Sequence, residues 1–358
     1  MPEKKNILIC PLNWGLGHAS RCIPLIKILN QAGHHVVIAA DGPAARLLKN
    51  VFPDNESVIF GDYNIRYSKG GHLVRTILWQ IPKILFRIAA EHHKVKSIVK
   101  KYNIDTLISD NRFGLWNRKI RTVYVTHQLF IKSPAGNRLV EKWLQKIHFF
   151  FIKKYDVCWI PDLTGDFKLS GELSGKHPLP ANARFIGLLS DFCDAPLQTT
   201  TGYDVCAVIS GPEPQRSIFQ RLLLEQLKNS GKKAVVILGK PAEKSISTTD
   251  KNITVFNYLT ADEIKKYFMC SEYVIARAGY STIMDLAVTG RKAILVPTPG
   301  QTEQEYLAGY LKQKKIYYST KQEGFDVNTA LKKAANYSGI SHCCDMQKLE
   351  EIILNTIS

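Results

Sequence analysis

The residues with most chemistry to offer sit at two glycine-bearing corners. At the first, Asn13-Trp-Gly15-Leu-Gly17-His18-Ala-Ser-Arg-Cys22 follows the strand-like run Asn6–Cys10 and opens into an apolar, helix-spaced segment. Glycine lets a backbone turn sharply and lie close to a ligand. An imidazole at the first turn of a helix behind it changes charge near neutral pH, so His18 is placed to take a proton from a hydroxyl. A plain strand-to-helix turn would need glycine as well. At the second corner, Ala276-Arg-Ala-Gly279-Tyr-Ser281-Thr282-Ile-Met-Asp285 repeats the pattern. The free N–H groups and positive dipole end of a helix start bind phosphate. Ser281 and Thr282 read equally well as N-cap residues. Asp285, one turn in, is either a solvated carboxylate or an acceptor for two ribose hydroxyls. The loop that follows carries Gln301, Gln304 and Glu305, amide and carboxylate groups suited to sugar hydroxyls.

These corners need a frame. Ile7–Cys10, Val36–Ala40, Thr106–Ser109, Thr122–Val125 and Val157–Ile160 are short β-branched runs that read as buried parallel strands, and the helix-spaced segment between the first two makes a βαβ unit. The stretch Pro161–Thr201 has no strong period and reads as a connection. The second half restarts with strands at Val205–Ile209, Ala234–Leu238, Thr254–Phe256, Tyr273–Ala276 and Ala293–Val296. Helices are expected at Ser217–Leu227, Ala261–Met269, Ser281–Val288, Glu303–Leu311 and Asp345–Asn355. The pattern predicts an α/β chain of two doubly wound, Rossmann-like domains facing each other across a cleft, with 1–188 as the first domain, 189–202 as linker, 203–342 as the second and 343–358 as a terminal helix. Further polar groups fall at carboxyl ends of strands. In Ser109-Asp110-Asn111-Arg112, Asp110 either orients His18 or caps a turn, while Asn111 and Arg112 lie on the same rim, as do His127 and Gln128 in Thr126-His-Gln-Leu129. His34, His35, His92 and His93 read as solvated.

The 358 residues carry a formal net charge of +17, and it is unevenly spread. Arg66–Lys101 holds nine Lys/Arg against Glu91, a net +8, and Asn137–Lys154 holds five against Glu141, a net +4. A basic face attracts nucleic acid or an anionic membrane. No nucleic-acid motif accompanies it, so nucleic acid is not expected as a partner. A solvated helix face is the plain alternative, with Pro82 dividing the first helix in two. The apolar run at the start is too short for a signal-peptide core or a membrane span, and the eight scattered cysteines, with Cys343 and Cys344 adjoining, read as free thiols, so a cytoplasmic protein is expected.

In order, Gly279-Tyr-Ser-Thr-Ile-Met-Asp285-Leu, Gly290-Arg-Lys-Ala-Ile-Leu-Val-Pro297 and Gln301-Thr-Glu-Gln304-Glu305 resemble the donor-binding half of family 28 glycosyltransferases. That family includes the N-acetylglucosaminyltransferase of the lipid-linked peptidoglycan precursor and the monogalactosyldiacylglycerol synthases. The likeness runs over both halves, most strongly at Ile7–Ile38 and Cys270–Leu311. It implies a GT-B fold and transfer of a hexosyl or N-acetylhexosaminyl group from a nucleotide sugar, UDP first, to a hydroxyl on a lipid-linked or envelope saccharide. It implies His18 acting on the acceptor, Gly15 and Gly17 making room for the donor, Asp285 (in place of the family's glutamate) on the ribose, and Gln304 and Glu305 on the sugar. Tyr258 and Leu259 fall near the base. His127-Gln128 lies near the family's His-Glu-Gln-Asn element without its glutamate. The family's Gly-Gly-Ser-like loop is here Ser210-Gly211-Pro-Glu-Pro-Gln-Arg216, in which two prolines remove donors and Arg216 is expected to face the pyrophosphate.

The chain has no Asp-x-Asp, the pair that holds a divalent metal on the pyrophosphate in many sugar transferases, so neither metal nor cofactor is expected. Gly15–Cys22 also looks like the opening of UDP-sugar hydrolases of nonulosonic acid synthesis, whose histidine activates water. The basic stretches, one of them holding Trp143, Phe149, Phe150 and Phe151, favour a transferase peripheral on the inner face of the cytoplasmic membrane.

Overall fold

The computed structural model describes residues 3–61, 73–133, 137–165, 167–175, 178–193, 202–240, 247–250, 252–342 and 344–358, with backbone alone at 73–82 and 247–248. The chain divides into two compact units, Met1–Leu189 with Asp345–Ser358, and Ser190–Cys344. Part of the first basic stretch, part of the expected linker and Cys343 lie outside the described residues.

In the first unit the strands are β1 (Asn6–Pro11), β2 (His35–Ala40), β3 (Glu56–Ile59), β4 (Thr106–Asp110), β5 (Arg121–Val125), β6 (Val157–Ile160) and β7 (Ala183–Phe185). They form one sheet in the order β3-β2-β1-β4-β5-β6-β7, and every neighbouring pair is parallel. Parallel pairing places helices on both faces, which is why the central strands are continuous apolar runs: all five residues of β4 are buried. The helices are α1 (Leu16–Gln31), α2 (Gly42–Val51), α3 (Leu73–Lys101), α4 (Arg138–Ile152) and the short α5 (Glu172–Gly175). The chain leaves β1 toward β2 on one side and returns to β4 on the other. The gap between the carboxyl ends of β1 and β4 is therefore the switch point where open α/β sheets bind ligands.

The second unit repeats the plan. Its strands β8 (Tyr203–Val208), β9 (Ala234–Ile237), β10 (Ser247–Asp250), β11 (Ile253–Phe256), β12 (Ser271–Ala276), β13 (Lys292–Leu295) and β14 (Tyr318–Ser319) lie in the order β10-β11-β9-β8-β12-β13-β14, parallel except for the β10–β11 hairpin. Helices α6 (Gln215–Lys228), α7 (Ala261–Met269), α8 (Tyr280–Thr289), α9 (Thr302–Gln313) and α10 (Val327–Ala334) cover it, and the switch point falls between β8 and β12. The last helix, α11 (Met346–Ile357), returns to the first unit, where Lys5 Nζ donates to Ile357 O at 2.6 Å and Arg121 Nε to Thr356 O at 3.1 Å.

Several expectations are corrected. The stretch read as connection contains β7, a three-residue edge strand held by its register on β6 rather than by an apolar pattern of its own. Helix α3 runs unbroken through position 82, since proline removes one N–H but does not by itself end a helix. His34 is buried and accepts from Lys5 N at 3.2 Å, and His92 stacks on Trp116 with centroids 4.0 Å apart. Cys193 and Cys344 form a disulfide across 151 residues, tying together the two ends of the second unit, while Cys10, Cys22, Cys158, Cys206 and Cys270 are free. That pairing depends on long-range folding, so spacing alone conceals it.

Candidate functional site

At the switch point of the first sheet, Gly15 is the N-cap of α1 at φ +85°, and a Cβ there would meet nothing within 4 Å. The dihedral, not crowding, requires glycine. Its turn starts α1 so that His18 and Arg21, one turn apart, face the end of β4. His18 Nδ1 lies 2.8 Å from Asp110 Oδ1, and Arg21 bonds both carboxylate oxygens through Nε and Nη2. Arg21 Nη1 in turn reaches His127 Nδ1 at 3.0 Å, after β5. Burial alone would raise the Asp110 carboxyl; the adjacent Arg21 cation, with His18, outweighs it and holds the group well below the usual carboxylate range. Asp110 is thus an anion at every working pH. It fixes the His18 ring with Nδ1 toward the carboxylate and leaves Nε2 for chemistry, the arrangement of an oriented base.

Of the two readings of Asp110, orientation of His18 is the one the geometry supports. Arg21 joins the group unexpectedly; its sequence signal is a cation among Ala19, Cys22, Ile23 and Ile26, all buried on α1. Asn111, left-handed at φ +57°, turns the chain away after Asp110, and its Oδ1 accepts from Tyr124 OH at 3.0 Å. Gln128 is half-buried beside His127, with its N–H bonded to Thr126 Oγ1. Arg112 is corrected: it is not on the rim but fully buried, paired with Glu91 of α3 and donating to Pro11 O and Gly61 O, so it braces α3 against the sheet. Gly17, inside the first turn of α1, is exposed.

At the switch point of the second sheet, Gly279 is the N-cap of α8 at φ −74°, a dihedral any residue adopts. A Cβ there would meet only Thr282 Oγ1, at 4.0 Å, so this glycine leaves open space before the helix terminus. The N-cap position belongs to Gly279, so Ser281 and Thr282 lie inside the first turn of α8 and are not its N-cap residues. Beside it, Gly211 at φ +104° packs so closely that a Cβ would sit 3.2 Å from Thr298 Oγ1. That hydroxyl is buried without a hydrogen-bond partner.

Beneath the corner lies Arg277, only 1% exposed. It donates to Ser210 O, Val296 O, Pro297 O, Gln215 O and Gln322 Oε1, and stacks over Phe219 at 4.4 Å. Among the described residues no carboxylate pairs with it. Burial lowers its pKa to about 10, which leaves a cation at neutral pH. Arg216, expected to face the pyrophosphate, instead pairs with Glu213 and donates to Gly239 O, while Arg277 gives no such signal in the sequence.

Asp285 of α8 accepts from Ser190 Oγ at 2.6 Å. Burial, with Asp191 nearby, pushes its pKa up to about 7 against the pull of that hydrogen bond. Gln304 and Glu305 brace their own loop: Gln304 Oε1 accepts from Thr298 N, its Nε2 donates to Gln301 Oε1, and Glu305 Oε1 accepts from Gly300 N. Tyr258 is half-buried and Leu259 buried, both past the carboxyl end of β11. No helix among the described residues is long and apolar enough to cross a membrane.

Residues 206–336 match the glycosyltransferase family 28 C-terminal domain, the span that contains the second corner. An uncharacterized glycosyltransferase of Methanosarcina acetivorans is 24% identical over 353 residues, covering 89% of this chain and 87% of that protein. Among solved structures, the glycotransferase of kitacinnamycin superposes with a TM-score of 0.63 at 12% identity, covering 99% of this chain and 95% of its own. MurG of Acinetobacter baumannii does so with a TM-score of 0.54 at 13% identity, covering 99% and 95%. These structures share the fold, that of GT-B glycosyltransferases.

The Asp285 shift has a measurable sign. A carboxyl raised from 3.8 to about 7 binds its proton more tightly in the fold than in the unfolded chain. Stability therefore falls as pH rises from the unfolded value through about 7, and the penalty persists above it. Asp285→Asn removes the penalty. Its melting temperature should equal that of the parent near pH 4 and exceed it progressively toward pH 8 in calorimetric scans; a gap independent of pH would contradict the shift.

Proposed function

We propose that this glycosyltransferase, whose second unit carries a family 28 C-terminal domain, moves a hexosyl or N-acetylhexosaminyl group from a UDP-sugar to a hydroxyl of a lipid-linked or envelope saccharide. The observation that carries the reading is the second corner: a helix terminus with space beside Gly279, a crowded Gly211 with an unpartnered Thr298 hydroxyl, and a buried Arg277 with no counter-anion among the described residues. Such a corner suits a diphosphate. Asp285 would hold the ribose, Tyr258 and Leu259 the base, and Gln301, Gln304 and Glu305 the transferred sugar. His18 Nε2 takes the proton of the acceptor hydroxyl as its oxygen bonds to the anomeric carbon. The bond from that carbon to the phosphate oxygen breaks, and UDP departs with the electron pair. The α8 N–H groups, backed by Arg277, would stabilise the departing charge without a metal. Asn111, His127 and Gln128 fall to the acceptor side.

A membrane-bound acceptor is supported by the basic helices. Ile84 and Ile88 of α3 pack against Ile147 and Phe151 of α4, leaving Leu85, Phe86, Leu139, Trp143 and Phe150 exposed. Lys83, Arg87, Arg138, Lys142, Lys146, Lys153 and Lys154 belong to the same helices and the turn after α4. Each cation near an anionic surface contributes about 1 kcal/mol, screened by salt.

Three measurements test this. Asp285→Ala should weaken UDP binding by about 1–3 kcal/mol in titration calorimetry, the loss of charge-assisted hydrogen bonds; unchanged affinity would remove Asp285 from the donor site. His18→Ala should bind UDP normally and lose roughly 10²–10⁴ in turnover with lipid extract as acceptor. Vesicles containing anionic lipid should co-sediment the protein at low salt and release it at high salt. Indifference to such vesicles, together with rapid release of free sugar or sugar phosphate in water, would favour a UDP-sugar hydrolase instead.

A further inference from the structure

The group around Asp110 constrains more than one ring. A guanidinium has five N–H donors and no lone pair. Arg21 Nη1 lies 3.0 Å from His127 Nδ1, so that nitrogen must accept, and the ring proton of a neutral His127 sits on Nε2. At His18 Nδ1 two groups meet, Asp110 Oδ1 at 2.8 Å and Arg21 Nη2 at 2.9 Å. A lone pair there would face a carboxylate oxygen, which is repulsive. A proton there donates to that oxygen, while Arg21 Nη2 has the same oxygen as its nearer acceptor. His18 therefore carries its proton on Nδ1 and its lone pair on Nε2. The Cys22 thiol, its Sγ 3.7 Å from Asp110 Oδ2, is pushed by burial well above its usual range and adds no charge.

We propose that Arg21 is a positioning residue that holds His18 and His127 in opposite tautomers, so that one ring offers a lone pair from Nε2 and the other an N–H. The two rings then present different atoms: His18 takes a proton at Nε2 with its Nδ1 bond to Asp110 kept, whereas a second N–H on His127, at Nδ1, would be set against the guanidinium. If His18 is the base proposed above, on which the catalytic meaning of this inference rests, the device confines base chemistry to one imidazole.

The tautomers can be read without any substrate. In the full chain labelled with ¹⁵N-histidine, long-range ¹H–¹⁵N correlation spectra at pH 7 report which ring nitrogen bears hydrogen, and His18→Gln and His127→Gln assign the two rings. Hydrogen on Nδ1 of His18 and on Nε2 of His127 is expected. The same tautomer at both positions, or a cationic His127, would overturn the proposal. Arg21→Lys keeps a cation beside Asp110 but loses the fork that reaches His127. His127 should then become a mixture of tautomers while His18 keeps hydrogen on Nδ1, and an unchanged His127 would deny Arg21 its role. Should Arg21→Lys fail to fold, the parent spectrum still decides between opposite and equal tautomers. A protein with the expected tautomers and no transferase activity would leave this inference standing and remove only the functional reading.

Discussion

The buried contact between Asp110 and Arg21 is the interaction on which the arrangement of the first unit's switch point depends. A carboxylate at the end of a fully buried central strand is tolerable only with a cation and further donors around it, and removing one partner of such a pair costs about 3–5 kcal/mol. The partner comes from α1, the helix that follows the neighbouring strand β1, so α1 must begin close to the carboxyl end of β1, beside that of β4. Gly15 supplies the dihedral that permits that start. His18 then inherits its position: it lies one turn before Arg21 on the same helical face and meets the same carboxylate. Stability and a polar, solvent-reaching imidazole thus come from one constraint.

The second corner solves the opposite problem. Arg277 is as buried as Asp110, yet its donors are spent on carbonyl and amide oxygens from the ends of β8 and β13, the start of α6 and Gln322. Those bonds satisfy geometry and hold the loops in place, but neutral oxygens leave the cation's charge uncancelled. A low-dielectric surrounding lets that field reach further than it would in water. Its sign is that of the α8 terminus, whose first N–H groups have no intrahelical partners.

The sequence made the frame legible where burial wrote it twice over. Strands such as β1, β4, β8 and β12 are covered on both faces, and their apolar runs announce themselves. Edge strands are held by register, not by composition: β7 keeps one buried residue of three, and β14 is only two residues long. Of the candidate residues, those carried by glycine punctuation, His18 and the Gly279 corner, were visible, whereas the two arginines that organise them were not. Arg21 and Arg277 each interrupt an apolar run, and a cation in such a run reads as solvated unless its partner is known. Arg216, sited in a loop, looked available, but Glu213 three residues earlier already satisfied it. Arg112 misled for a similar reason, since its partner Glu91 lies on a helix 21 residues away.

Each unit leaves one kind of freedom open. In the first, an anion is cancelled by a cation, and the remaining freedom is protonic: which nitrogen of an imidazole carries hydrogen. In the second, a cation is hydrogen-bonded but not cancelled by any carboxylate among the described residues, and the remaining freedom is electrostatic: an anion can lower its energy there. A transfer reaction that begins with loss of a hydroxyl proton and ends with departure of a charged phosphate needs one group of each kind. Neither substitutes for the other, because an uncancelled cation beside His18 would oppose protonation of the base, and a cancelled one beneath α8 would offer nothing to a leaving phosphate. Among the described residues one buried arginine is paired with a carboxylate and the other is not, and that difference in pairing sets what each unit leaves open.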